Sequence, residues 1–201
     1  MSEIVDVFWS FRSPYSRLVT ADLLKLREDY DVDVHLRVVL PLAVRNPQAL
    51  FDPGNRKPPR YIALDSVRRG EMLGRPIVFP TDPDPIVQDF RTMEVAKDQP
   101  YIYRLSKLGV EANRRGRGVE LADRVAALIF GGTRGWDQGD LLKNAVADAG
   151  LDLAELGVSR RALFRTGPDR NPALADGPRR AGPLRALRPS SSAFVRLYWL
   201  G

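Results

Sequence analysis

No cysteine occurs in the 201-residue chain, and His35 is its only histidine. The first absence excludes disulfides, thiolate metal sites, a cysteine nucleophile and a Cys-x-x-Cys redox pair. The second means that a Ser-His-Asp triad or a zinc site would have to be built around His35 alone. His35 stands in the alternating segment Val32, Val34, Leu36, Val38, and is read as a strand-face histidine with a local partner. No metal site is expected. No apolar run approaches the ~18 residues that a membrane span needs. Met1 to Trp9 lacks a basic segment and carries Glu3 and Asp6, so it does not read as a signal peptide; a cytoplasmic protein is expected. Neither Gly-x-x-x-x-Gly-Lys nor Gly-x-Gly-x-x-Gly occurs, and Phe130-Gly131-Gly132 reads as a helix stop rather than a phosphate cradle.

Apolar residues make up 44% and charged residues 28%, an ordinary globular composition with enough chain for a sizeable core. The net charge of +6 is not spread evenly. From Gly157 to Gly201 there are nine Arg, no Lys and two Asp, or +7; the preceding 156 residues carry 22 basic and 23 acidic groups, or −1. The body therefore lacks the electrostatic mark of a nucleic-acid binder. Gly, Ala, Arg and Pro fill 25 of the last 45 positions against 52 of the first 156. A frame-shifted reading of a G/C-rich gene would produce this mixture, and residues 157–201 are expected to be one; a native proline-rich tail is the alternative.

Periodicity sets out the elements. Ile4 to Trp9 reads as a buried strand, Pro14 to Asp29 as a helix with Leu18, Val19, Leu23 and Leu26 at helical spacing, and Val32 to Leu40 as a second strand. Strand, helix, strand in forty residues is a βαβ unit with parallel strands. Pro41 to Arg60 reads as a loop, and Tyr61 to Leu73 as a helix stopped by Gly74. After a Thr81 to Pro85 loop, four helical stretches are expected: Ile86 to Lys97, Tyr101 to Arg114, one around Val119 to Ile129, and one around Leu141 to Ala149 stopped by Gly150. The acidic group Asp82, Asp84, Asp89, interleaved with prolines, reads as a solvated loop.

Ser13 is the most informative single residue. It lies where a strand ends and a helix begins, with Pro14 behind it, so free N–H groups and the positive end of the helix dipole converge there. A hydroxyl at that point can donate to an anion, and a thiolate held there would be stabilised. A plain helix N-cap is the simpler reading of the same pattern.

The run Phe8-Trp9-Ser10-Phe11-Arg12-Ser13-Pro14-Tyr15-Ser16 resembles the strand end and Ser-Pro-Tyr-Ser turn of the 2-hydroxychromene-2-carboxylate isomerases, relatives of kappa-class glutathione transferases and DsbA-like proteins. Gly54-Asn55-Arg56-Lys57-Pro58-Pro59 is similar to that family's Gly-Asn-x-x-Pro loop, and Leu73-Gly74-Arg75-Pro76 through Pro80 to its Leu-Gly-x-Pro-x-x-x-Pro segment. Gly135-Trp136-Asp137-Gln138-Gly139-Asp140, then Ala149-Gly150-Leu151-Asp152, resemble its helical domain's last turn and helix. The likeness runs from about residue 4 to residue 156.

The resemblance implies an α/β, thioredoxin-like fold with a large helical insertion: residues 1–58 as the βαβ part, 59–156 as the insertion, and 157–201 as the segment that should complete the sheet. The family's cis-proline turn, last two strands and Gly-Gln-Asp-Arg-like segment are not legible there, so the C-terminal part of the sheet is expected to be incomplete. It implies glutathione as cofactor, Ser13 as the catalytic residue holding the glutathione sulfur as thiolate, and Pro14, Tyr15, Ser16 and Asn55 as glutathione-binding residues. Taken from the residues alone, Asn55 is a turn asparagine and Tyr15 a core or staple residue. In such isomerases the thiolate adds to a conjugated double bond of an aromatic pyruvate, the new single bond rotates, and the thiolate leaves. The implied partner is a small-molecule substrate; a homodimer stays open, and neither membrane nor nucleic acid is expected. A kappa-like transferase is the near alternative, and a non-catalytic protein whose basic tail binds nucleic acid or acidic surfaces is the distant one.

Overall fold

The computed structural model describes residues 2–52 and 54–158. The chain is mixed α/β. Strand β1 (Glu3–Trp9) leads into helix α1 (Pro14–Asp29), which returns the chain to β2 (Val32–Val38). The two strands pair in parallel, with Val5 opposite Val34, Val7 opposite Leu36 and Trp9 opposite Val38, as the βαβ pattern predicts. Period-two alternation gives the pair one buried face, with Val7, Trp9, Val34, Leu36 and Val38 inward. The other face carries Asp6, Asp33, His35 and Arg37 with the exposed Ile4 and Phe8. His35 finds its local partner in Asp33, 2.8 Å away.

Two single-turn helices, α2 (Leu42–Arg45) and α3 (Pro47–Leu50), occupy the stretch read as loop. Helix α4 (Lys57–Met72) begins four residues earlier than Tyr61. Pro58 and Pro59 do not prevent this, because first-turn N–H groups have no helical partner to lose. Gly74, at φ +64, ends it as expected: its N–H bonds to Glu71 O and that of Arg75 to Gly70 O.

The helix expected over Ile86 to Lys97 does not form. Gln88 and Val95 make an antiparallel bridge instead, closed around Asp89 and Met93, the latter at φ 66. Two causes stand out. The Asp89 carboxylate accepts from the N–H groups of Arg91 and Thr92, an Asx-type turn that competes with helix. The buried Gln99 amide then bonds Val87 through both its N–H and its carbonyl, and Ala96 through its carbonyl. One side chain thereby satisfies backbone groups that a helix would have satisfied internally.

Helices α5 (Pro100–Arg114), α6 (Gly118–Phe130) and α7 (Leu141–Asp148) follow, then α8 (Leu153–Val158). Helix α6 is central, packed against α1, α5, α7 and β2, with Val119, Leu121, Val125 and Ile129 at 1% exposure or less. Each such side chain contributes ~1.5–3 kcal/mol of burial. A contiguous apolar cluster runs from Val7 and Trp9 through α5 and α6 to Val146 and Leu156. No helix among the described residues is long and apolar enough to cross a membrane. The expectations for residues 159–201 lie outside the described residues.

Candidate functional site

The β1–α1 junction is assembled around Trp9. Its indole N–H donates to Ser16 O and Thr20 Oγ1, at 3.0 and 3.1 Å, pinning the first turn of α1 onto the end of β1. Phe11 packs edge-on against Trp9 with centroids 4.6 Å apart. It also lies so close to Gly109 of α5 that a Cβ there would meet the ring at 2.7 Å. The Ser13 N–H donates to Ser10 O. The loop between strand and helix is thus fixed on both flanks, and Ser13 emerges from it half-buried.

Ser13 is the N-cap of α1, with extended backbone at φ −90 and ψ 119. Its Oγ accepts from the Ser16 N–H at 3.2 Å, which leaves the hydroxyl proton to donate elsewhere. No acidic residue sits in the first turn of α1, where a like charge would oppose a negative ligand. Pro14 and Ser16 are buried; the Ser16 Oγ accepts from the Ser10 N–H and so braces the strand end from inside.

Tyr15 turns toward α4. Its hydroxyl donates to Asp65 at 2.6 Å, and Arg69 donates to the same carboxylate at 2.8 Å. Burial, and then the bond to Asp65, push the Tyr15 phenol well above its ordinary range. The Asp65 carboxyl is held low, first by the Tyr15 hydroxyl and then by Arg69. Tyr15 therefore remains a neutral phenol committed to α4.

Asn55 belongs to a second turn, the one that starts α4. It is exposed, bridges Asp52, and accepts from the Lys57 N–H at 3.2 Å, starting α4. Its neighbour Arg56 donates to Arg91 O at 2.7 Å. Among the described hydrogen bonds none joins Asn55 to Ser13.

One acidic residue departs from its reading as part of a solvated loop. Asp84 is nearly buried and receives a two-pronged bond from Arg12, at 2.6 and 2.7 Å. Its Oδ1 also accepts from the Ile86 N–H. A buried carboxylate needs such partners, and the partner here is 72 residues away in sequence. Comparisons with family models, with curated proteins and with solved structures returned no match. The residues missed from sequence are Arg12, Asp84 and Asp65. Only the i, i+4 spacing of Asp65 and Arg69 was a local signal, and it does not point to Tyr15.

The site offers a half-buried serine hydroxyl at a helix N-terminus whose first turn holds no acid. That arrangement suits an anionic sulfur or oxygen. Among the described residues no group of three or more His, Asp or Glu could hold a metal ion.

Proposed function

We propose that the chain is a glutathione-dependent isomerase of the 2-hydroxychromene-2-carboxylate isomerase type, on a thioredoxin-like fold with a helical insertion, acting in the cytoplasm. The observation that carries this reading is Ser13: a half-buried N-cap whose oxygen accepts from Ser16 and whose proton is left to donate, at the strand-to-helix turn where the resemblance puts the thiolate. The residues present fit a thiol cofactor. Ser13 would hold its sulfur and Pro14 would keep the first turn rigid. Tyr15 and Ser16 fix the turn from α4 and from the strand end, and Asn55 would reach the peptide backbone of the ligand. Bound glutathione would supply a nucleophilic sulfur that adds to, and leaves from, a conjugated aromatic acid.

Ser13 does two things in this reading. Its hydroxyl donates a charge-assisted hydrogen bond, which lowers the thiol pKa toward neutrality. Held by the Ser16 N–H, it does so without reorganising as charge develops on the sulfur. The Tyr15 phenol stays protonated throughout and takes no part in proton transfer.

The test is conversion of an aromatic 2-oxo-enoate from one double-bond isomer to the other. Turnover should require glutathione and leave its concentration unchanged. Formation of a stable thioether with loss of glutathione would favour the kappa-like transferase instead. No turnover and no glutathione binding would contradict both.

A further inference from the structure

Arg12 is the residue immediately before Ser13, and almost everything around it is arranged to hold it still. Its side chain is 12% exposed, and its guanidinium forks onto both oxygens of Asp84, whose side chain is 10% exposed. It lies 5.4 Å from the centroid of Phe79 and 5.9 Å from that of Phe130, within cation–π range of two rings that pack edge-on with each other. The loop that presents Asp84 is tied down on its far side. The Trp136 indole donates to Pro83 O at 2.7 Å, and the Gly135 N–H to Asp82 O at 2.8 Å. A chain of contacts thus runs from the segment after α6 through the 82–86 loop to the Ser13 turn.

The pair neutralises its own charges, packs against Phe130 of the core and ties the 10–13 turn to the 82–86 loop. We propose that Arg12 and Asp84 are positioning residues for Ser13, setting the direction of its hydroxyl and of the α1 N-terminus toward a bound thiolate; this rests on the thiol-binding reading above. A Lys at position 12 would keep the charge but could neither fork onto the carboxylate nor offer a planar cation to the rings. A Glu at position 84 would keep the charge but displace the turn by one methylene.

Because the chain has no cysteine, Ser13→Cys gives the full-length protein a single reporter thiol at this point. Its pKa is read from the pH dependence of alkylation by iodoacetamide, with no glutathione present. In Ser13→Cys alone the thiol pKa should lie below the ordinary ~8.5 of a free cysteine. Adding Arg12→Lys or Asp84→Glu, each conserving charge, should raise it and cut the thiolate fraction at neutral pH roughly tenfold. In the Ser13 protein the same exchanges should lower glutathione-dependent turnover by a similar factor.

Either exchange decides if the other prevents folding. A thiol pKa unmoved by a folded exchange overturns the positioning role, since a merely structural pair would alter stability and not the thiol. An ordinary thiol pKa already in Ser13→Cys overturns both the role and the anion-stabilising turn beneath it. Shifted thiol pKa values in a protein that fails to bind glutathione uphold the positioning role and sink the glutathione reading alone.

Discussion

Ser13 and Tyr15 sit two residues apart, and their surroundings assign them opposite tasks. Ser13 Oγ accepts from the Ser16 N–H, which leaves its own proton to donate elsewhere. Tyr15 spends its proton on Asp65, and burial keeps that phenol from ionising in its usual range. A phenol raised in the folded protein contributes stability that is fully present below the ordinary pKa of 10.0 and is lost as pH rises beyond it. Spectrophotometric titration checks this. Tyr15→Phe should leave the tyrosinate signal of the folded protein around pH 10 unchanged, because Tyr15 does not contribute to it there. A loss of one of the six tyrosines' worth of signal in that range would show that Tyr15 titrates normally. The same substitution should weaken the link between α1 and α4, leaving the Asp65 carboxylate to Arg69.

At the scale of elements, α5 approaches the sheet where it carries no side chain. A Cβ on Gly109 would stand 2.7 Å from Phe11 and 3.0 Å from Val38. Alanine is favoured over glycine inside a helix by ~1 kcal/mol. The clash should nevertheless win, because Phe11 is held by Trp9 and cannot swing away. Gly109→Ala is expected to lower stability by about 1–3 kcal/mol in denaturant titration, and a gain would show that the junction is looser than described. Arg75 makes a second cross-link, from the segment after α4 to Asp22 on α1, and holds the Asp22 carboxyl below its ordinary 3.8. A carboxyl lowered on folding contributes stability present above pH 3.8 and lost as pH falls through its folded value. Asp22→Asn should therefore flatten the acid limb of the stability curve below that pH and leave the alkaline limb alone.

These elements also show why some of the fold was legible and some was not. The βαβ start could be read because its signals are local: Ser13-Pro14 caps α1, and Val34, Leu36, Val38 alternate. Gly74 and Gly150 end α4 and α7 because a positive φ suits glycine. The segment 86–97 misled because its apolar spacing allows a helix, whereas its conformation is fixed by Gln99 beyond its own end. The Ser13 turn was found, but not its Arg12–Asp84 and Tyr15–Asp65 anchors, since sequence spacing carries no information about partners 72 and 50 residues distant.

For the whole molecule, the strands and helices share one apolar cluster, so the Ser13 turn is braced by β1, α1, α4 and the loop before α5 together. Ile4 is 62% exposed and Phe8 55% exposed on the outer sheet face, and among the described residues no further strand pairs with β1. The abrupt change of composition at Gly157 falls almost wholly outside the described residues. It predicts that resequencing the gene will find a single-base insertion or deletion near that codon. An intact frame with no Val-Pro-Thr-like turn in either other frame would contradict it.

The central claim is that the Ser13 turn binds a thiolate rather than merely starting a helix. Calorimetric titration of the intact chain and of Ser13→Asp with glutathione at neutral pH separates the two. Aspartate caps a helix as well as serine, so the variant should keep its thermal stability. Its carboxylate would face the thiolate, and the lost charged hydrogen bond alone amounts to about 1.5–3 kcal/mol. Glutathione affinity should fall by at least tenfold in Ser13→Asp, with binding measurable in the unsubstituted protein. Equal affinity in the two proteins, or no binding to either, would leave Ser13 as a helix cap and contradict the claim.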